Sequence, residues 1–157
     1  MRVGMGFDIH RTVKGRPLVL GGFTLPSQKG LEGHSDADVL LHALTDALLG
    51  AIGAGDIGTH FPDSDFRWKN TPSGVFVSKV LELVEKRGFR IGNVDLVLVA
   101  EEPKLAPHNL TIRRSVAKAL GIEPARVNIK AKTMEQLGPI GAGEAMAAYA
   151  VVLLESL

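Results

Sequence analysis

Asp8 and His10 stand two residues apart in the segment Gly6-Phe7-Asp8-Ile9-His10. In a strand, residues two apart project from the same face, so a carboxylate and an imidazole would lie side by side. That pair suits a borderline cation such as zinc, which accepts oxygen and nitrogen donors alike. A charge-assisted Asp–His hydrogen bond at a strand end accounts for it equally. His42 adds a third donor. It sits among leucines in Val39-Leu40-Leu41-His42-Ala43-Leu44, with Asp38 and Asp46 four residues to either side. At that spacing all three fall on one helical face. A polar row across an apolar helix is costly unless something polar or metallic lies against it. Asp8, His10 and His42, with a neighbouring carboxylate orienting one imidazole, would make a three-ligand site with an open fourth position, the pattern of a catalytic zinc. A lone hydrogen-bonded core histidine is the plain alternative for His42.

Three further segments carry polar groups at useful places. Gly33-His34-Ser35-Asp36-Ala37-Asp38 leads into that helix. Ser35 or Asp36 is expected as its N-cap, and amides, a hydroxyl and an imidazole at a positive helix terminus suit phosphate. Gly53-Ala54-Gly55-Asp56-Ile57-Gly58 matches G-x-G-x-x-G in letters only. The dinucleotide fingerprint needs a strand before it and a helix after it, whereas here a helix precedes and Thr59-His60-Phe61-Pro62-Asp63 follows. Its glycines read instead as a helix end that lets a ligand approach the backbone. Ala131-Lys132-Thr133-Met134-Glu135 follows a strand and precedes the glycine-rich stretch Gly138–Gly143. Lys, Thr and Glu grouped there could grip a diphosphate and its divalent cation, or could be an ordinary solvated strand end.

The elements that must position these groups follow from periodicity. Val3, Met5, Phe7 and Ile9 alternate as a strand, and Pro17–Leu20 with Gly21-Gly22 reads as a second strand hairpinned to it. Asp36–Gly53 reads as a helix, Thr71–Gly88 as another, Ile91–Ala100 as a strand, Pro107–Leu120 as a helix stopped by Gly121, and Val127–Ala131 as a strand. Gly138–Gly143 is a turn, and Ala145–Leu154 a buried strand or helix. This mixture predicts an α+β fold, a two-layer sandwich with a mixed four- to five-stranded sheet and helices on one face. With 157 residues, residues 1–157 are expected to form a single domain.

Composition narrows the function classes. There is no cysteine, which excludes disulfides, thiolate nucleophiles and Cys-based metal sites. Lys plus Arg is 18 and Asp plus Glu 17, so a net charge of +1 argues against nucleic acid as a partner. The longest apolar stretch, Ala145–Leu154, spans ten residues and is too short for a membrane. Asp8 comes too early for a signal peptide, so a cytoplasmic location is expected.

Taken together and in order, these segments resemble the 2-C-methyl-D-erythritol 2,4-cyclodiphosphate synthase family of non-mevalonate isoprenoid biosynthesis. Gly6–His10, His34–Asp38, His42–Gly50, Gly55–Gly58 and Phe61–Asp63 carry the resemblance in the first half. Pro103-Lys104, Pro107-His108, Lys130-Ala131, Thr133, Glu135, Leu137-Gly138 and Gly143-Glu144 carry it in the second. The resemblance implies a homotrimer with active sites between subunits. It implies closure of 4-diphosphocytidyl-2-C-methyl-D-erythritol 2-phosphate into the cyclic diphosphate with release of CMP. Asp8, His10 and His42 would hold zinc, and His34 and Thr133 would contact the transition state. Asp8, Ile9, His10, His34, Ser35, Asp56, Ile57, Gly58, Phe61, Pro62, Asp63, Ser64 and Asp65 would line the methylerythritol and phosphate part. Ala100, Glu101, Glu102, Pro103, Lys104, Leu105, Ala106, Lys132, Thr133, Met134 and Glu135 of the adjacent subunit would hold the cytidine diphosphate part, with Glu135 on magnesium or manganese. An anion attacks an anion in such a closure, so positioning and charge neutralisation carry it. A zinc-dependent phosphohydrolase, in which an open zinc activates water, is the rival reading. Some family members take isoprenoid diphosphates in a cavity on the trimer axis, beside an aromatic residue and an arginine. Pro139 and Ala142 stand at those places here, and weak binding at most is expected.

Overall fold

The computed structural model describes residues 1–157. In chain order the elements are β1 (Arg2–Lys14), β2 (Leu18–Leu20), β3 (Phe23–Leu25), β4 (Lys29–Leu31), α1 (Val39–Ala51), α2 (Ile57–His60), α3 (Ser73–Lys86), β5 (Phe89–Val99), α4 (Asn109–Leu120), β6 (Val127–Lys132), α5 (Gly138–Gly141) and β7 (Ala145–Ser156). Five strands form one mixed sheet in the order β4-β1-β7-β5-β6, in which only β5 and β6 run parallel. The helices cover one face. Leu96 and Leu98 of β5 and Ala148, Ala150 and Val152 of β7 are buried beneath them. The fold is α+β, as the pattern of elements predicts.

β1 alternates as expected, but with its apolar side chains on the uncovered face. Val3 and Met5 are 67% and 68% exposed, and Phe7 and Ile9 are exposed beside them. The residues turned toward the helices are Gly4 and Gly6. A Cβ on either would lie 1.9 Å from a carbonyl oxygen of α1, that of Ala47 or of Ala43. Glycine therefore lets α1 lie directly on the strand. β7 pairs antiparallel with β1 from Arg2–Leu154 to Arg11–Ala145, which decides the last apolar run as a strand. Its Tyr149 and Val151 extend the exposed apolar face, and the Tyr149 ring lies 4.9 Å from that of Phe7.

Several boundaries differ from the sequence reading. The Leu18–Leu20 strand does not pair with the first strand; it folds back on Phe23–Leu25. Gly21 and Gly22 have φ of +62° and +77°, the geometry of a tight two-residue hairpin, so β2 finds its partner immediately and β1 pairs with β4 instead. The helix expected from Asp36 begins at Val39 with Asp38, not Ser35 or Asp36, as its N-cap. Ala37 is left-handed (φ +55°), which breaks any helix before it. Gly138–Gly141 forms one helical turn rather than an open one. A 3₁₀ turn at Ala106–His108 precedes α4, which Gly121 ends in the left-handed conformation. No helix is long and apolar enough to cross a membrane.

Candidate metal centre and active site

The glycine contact between β1 and α1 sets one group of polar side chains. Asp8 and His10 continue the helix-facing side of β1 beyond Gly6. On α1 every residue is buried except His42, Asp46 and Gly50, which recur every fourth position as one stripe. Where strand and helix cross, Asp8, His10 and His42 bring their donor atoms together. His10 Nε2 is 2.8 Å from Asp8 Oδ2, His42 Nδ1 is 3.0 Å from the same oxygen, and the two ring nitrogens are 3.0 Å apart. Burial by itself would raise the Asp8 carboxyl, but the hydrogen bonds and charges of His10 and His42 outweigh it and hold the group below the usual carboxylate range. Burial likewise opposes charge on His10, and the Asp8 hydrogen bond and charge overcome it, raising the imidazole.

One carboxylate and two imidazoles converging in this way fit a borderline divalent cation. The far nitrogens of both rings are occupied, as they are in metal-ligating histidines. His10 Nδ1 donates to the Glu32 carbonyl at 2.7 Å, and His42 Nε2 lies 3.1 Å from Ser35 Oγ and 2.9 Å from Ser73 Oγ. The expected aspartate row is corrected here. Asp38 turns away from the centre and is fully buried, accepting from the main-chain N–H groups of Leu41, Gly21 and Gly22. Burial pushes its carboxyl up to about 6 against those three bonds. Asp46 accepts from Ile57 N at 2.7 Å. Neither aspartate orients an imidazole, because each is committed to holding a neighbouring loop.

Asp8, His10 and His42 stand in the wall of a cleft of about 300 Å³, with Gly33, His34, Ser35, Phe61, Asp63, Trp68 and Phe76. Arg16 ties down its 33–35 loop, donating to the Gly33 and Ser35 carbonyls at 2.8 and 2.7 Å. His34 Nε2 and Trp68 Nε1 are buried without a protein partner. Phe61 stacks on Phe76 at 4.6 Å and meets Trp68 edge-on at 5.1 Å. Asp56 caps α2 through Thr59, while the Asp46 contact holds Ile57 and with it the turn before Gly58. Pro62 is half-buried and Ser64 exposed. Asp65 is occupied by the Arg67 guanidinium and main chain, and Ile9 points to the opposite face of the sheet.

The second expected group gathers elsewhere. Because β5 and β6 are parallel neighbours, the segments that follow them leave the sheet side by side, with Ala100 N donating to Lys132 O at 2.9 Å. Met134 N donates to Glu101 Oε2, and Thr133 Oγ1 to Glu135 Oε1 at 2.7 Å. Lys132, Thr133, Met134 and Glu135 are all exposed, and Glu135 is left-handed at φ +51°. Ala100 and Leu105 are buried, and Ala106 is exposed. Glu101, Glu102, Pro103 and Lys104 line a different cleft, of about 670 Å³, with Thr12 and Lys14. Asp8, Ala148, Leu98 and Ala131 lie level across four strands, so two and three strand spacings, roughly 10 and 14 Å, part Asp8 from the β5 and β6 strands that carry the second group. Arg16, Trp68, Ser73 and Phe76 escape the sequence reading, and Asp36 figures there as a helix cap and not as a partner of Ser73.

Fold and site together define a class: an α+β enzyme with a candidate metal site where a glycine strand crosses a buried helix. The chain belongs to the YgbB family, whose model matches residues 1–155. It is 59% identical over 155 residues to the 2-C-methyl-D-erythritol 2,4-cyclodiphosphate synthase of Gloeobacter violaceus, covering 99% of this chain and 95% of that one. A solved structure of 2C-methyl-D-erythritol-2,4-cyclodiphosphate synthase in its CDP-bound form superposes with a TM-score of 0.91 at 44% identity, covering 98% of this chain and 100% of that one. The bifunctional IspDF of Campylobacter jejuni matches with a TM-score of 0.94 at 40% identity; 99% of this chain is covered, but it spans only 42% of that longer protein.

Proposed function

We propose that residues 1–157, acting as one catalytic domain, convert 4-diphosphocytidyl-2-C-methyl-D-erythritol 2-phosphate into 2-C-methyl-D-erythritol 2,4-cyclodiphosphate and CMP. The convergence of Asp8, His10 and His42 beside the His34–Ser35 loop carries this reading, and the names of the relatives support it. The three donors would hold zinc, and Glu135 magnesium or manganese. When bound, these ions supply Lewis acidity and charge neutralisation to the phosphates. An oxygen of the 2-phosphate attacks the β-phosphorus, and the bond to the CMP oxygen breaks. The attacking oxygen is already ionised, so no protein base is required, and the residues serve to align and neutralise. His34 and Thr133 would donate to phosphate oxygens as charge shifts; His34 Nε2 has no protein partner to give up. The backbone of the Asp56–Gly58 turn and Asp63 would receive the methylerythritol part, and the Ala100–Ala106 and Lys132–Glu135 segments the cytidine diphosphate.

The reading includes a homotrimer with the site shared between neighbours. Two features support it: the uncovered apolar face of Val3, Met5, Phe7, Ile9, Tyr149 and Val151, and the separation of the two residue groups within one chain. Purified protein incubated with the substrate, zinc and magnesium and followed by phosphorus NMR tests the reaction. CMP with a cyclic diphosphate is expected. CMP with a linear product would assign hydrolysis instead, and no CMP release would overturn the reading.

A further inference from the structure

We propose that Ser73 is a positioning residue of the metal centre. Oriented by Asp36, its hydroxyl holds His42 in the Nε2-protonated form and so turns the Nδ1 lone pair toward Asp8 and His10. The inference rests on the metal centre proposed above and adds two residues that act through His42.

The direction of each hydrogen bond follows from what its partners can do. Ser73 is the first residue of α3, whose N-cap, Pro72, offers no side-chain bond. Asp36, from the loop before α1, takes that role. Its Oδ2 accepts the Ser73 main-chain N–H at 3.0 Å, and its Oδ1 accepts the Asp38 N–H at 3.2 Å. Both carboxyl oxygens are thus acceptors, and the Ser73 hydroxyl, in short contact with Oδ1, donates to it. A hydroxyl has one proton to give. Only lone pairs of Ser73 Oγ are left for His42 Nε2, 2.9 Å away, so the ring nitrogen donates. Ser73 has no exposed surface, and water cannot substitute for either bond. Ser35 Oγ is also near His42 Nε2, at 3.1 Å, but it accepts only from Ala37 N, and its own proton is free to turn toward the ring. Ser35 alone therefore selects no tautomer.

The opposite tautomer has a ready partner, since an Nδ1–H would donate to Asp8 Oδ2 at 3.0 Å. In that form two of the three metal donors bond to each other and His42 offers no lone pair to the ion. The Asp36–Ser73–His42 chain removes this trap. It also ties three elements together: the 33–38 loop, the start of α3 and the middle of α1.

Two variants and two measurements test the proposal. Ser73→Ala removes the acceptor. Asp36→Asn is nearly isosteric and can keep the bond from Ser73 N, but its amide N–H groups face the hydroxyl. The serine proton is then free to turn onto His42 Nε2. Zinc affinity, measured by competition with a chromophoric chelator, is expected to fall roughly 10–100-fold in each. The double variant is expected to lose no more than Ser73→Ala alone, since Asp36 acts through Ser73. Nitrogen-15 NMR of the zinc-free protein at pH 9 is expected to show His42 protonated at Nε2 in the parent and at Nδ1 in Asp36→Asn. Merely weakened packing would not produce that change. An Nε2–H tautomer in both variants, or zinc affinity within about twofold of the parent in both, would overturn the inference. If the parent shows this serine dependence yet releases no CMP from the substrate, the reaction assigned above falls and the positioning role stands.

Discussion

Replacing Gly6 by alanine should show how closely the strand–helix contact governs the metal centre. The new Cβ would lie 1.9 Å from Ala43 O and 2.7 Å from Ala47 N, both main-chain atoms of α1. No rotamer change relieves such a clash. To restore even a 3.0 Å contact with the oxygen, α1 and β1 must separate by about 1 Å, an overpacking strain of typically about 1–3 kcal/mol. His42 immediately precedes Ala43, and Asp8 follows Gly6 by two residues, so the separation acts directly on donor atoms now 2.8–3.0 Å apart. Metal coordination distances tolerate deviations of only about 0.2 Å. Gly6→Ala should therefore weaken zinc binding by more than its stability loss explains. Gly4→Ala is the control. Its Cβ would meet Ala47 O at the same 1.9 Å, one turn further from His42. It should lower the urea midpoint similarly but reduce zinc affinity less. Equal zinc affinities for parent and Gly6→Ala, in a protein that is measurably destabilised, would refute the idea that this contact sets the donor triangle.

Four other outcomes are expected. Arg16→Ala removes two charged donors from the Gly33 and Ser35 carbonyls, bonds of the kind worth about 1.5–3 kcal/mol each; kcat/KM should fall at least tenfold with zinc content unchanged by elemental analysis. Asp38→Ala leaves three main-chain N–H groups without their acceptor and should cost about 2–3 kcal/mol or more in urea unfolding. Because the folded Asp38 carboxyl lies near 6, above its ordinary 3.8, the native state binds more protons between those values; the stability this group contributes is lost as pH rises from 3.8 to about 6, and Asp38→Asn should remove that slope. Inactive Asp8→Ala and Glu135→Ala proteins, mixed with subunit exchange, should recover part of the activity, whereas inactivity in verified mixed oligomers would contradict a shared site.

The three proposed zinc ligands were legible because two local periods, two residues in a strand and four along a helix, bring like-facing side chains together without knowledge of the fold. The direction of those faces was not legible. Alternation in β1 marks two faces without saying which is covered, and the structure buries Gly4 and Gly6 while leaving Val3, Met5 and Phe7 exposed. A glycine is silent in a hydrophobic pattern and shows its role only against the helix that packs on it. The Asp38–His42–Asp46 row failed for a related reason: spacing places three groups on one face but cannot say which neighbours each will meet. Asp38 meets the Gly21-Gly22 hairpin, whose first strand pairs with Phe23–Leu25 rather than with β1. Ser73 is 31 residues from His42 in the chain, and a serine after a proline reads as no more than a helix start. Its partnership with the histidine exists only once α3 packs beside α1.

The inverted alternation of β1 also joins the proposed assembly to the chemistry. A strand that gives its inner positions to glycine, so that a helix can approach, contributes almost no apolar side-chain area to its own core. What it holds, Val3, Met5, Phe7 and Ile9, lies on the other side, continuous with Tyr149 and Val151. Antiparallel sheets commonly leave one face to water, but that face is then polar. An uncovered apolar one calls for a second layer, and in the proposed trimer neighbouring subunits supply it. Asp8 and His10 interleave with Phe7 and Ile9 on this one strand, so the candidate metal centre and the proposed assembly face are separated by the thickness of a single backbone. The strand cannot shift its register to improve either face without moving every side chain to the wrong one. Its pairing with β7 from Arg2 to Arg11 therefore holds both at once, and fixes the height of the proposed metal donors relative to the apolar face.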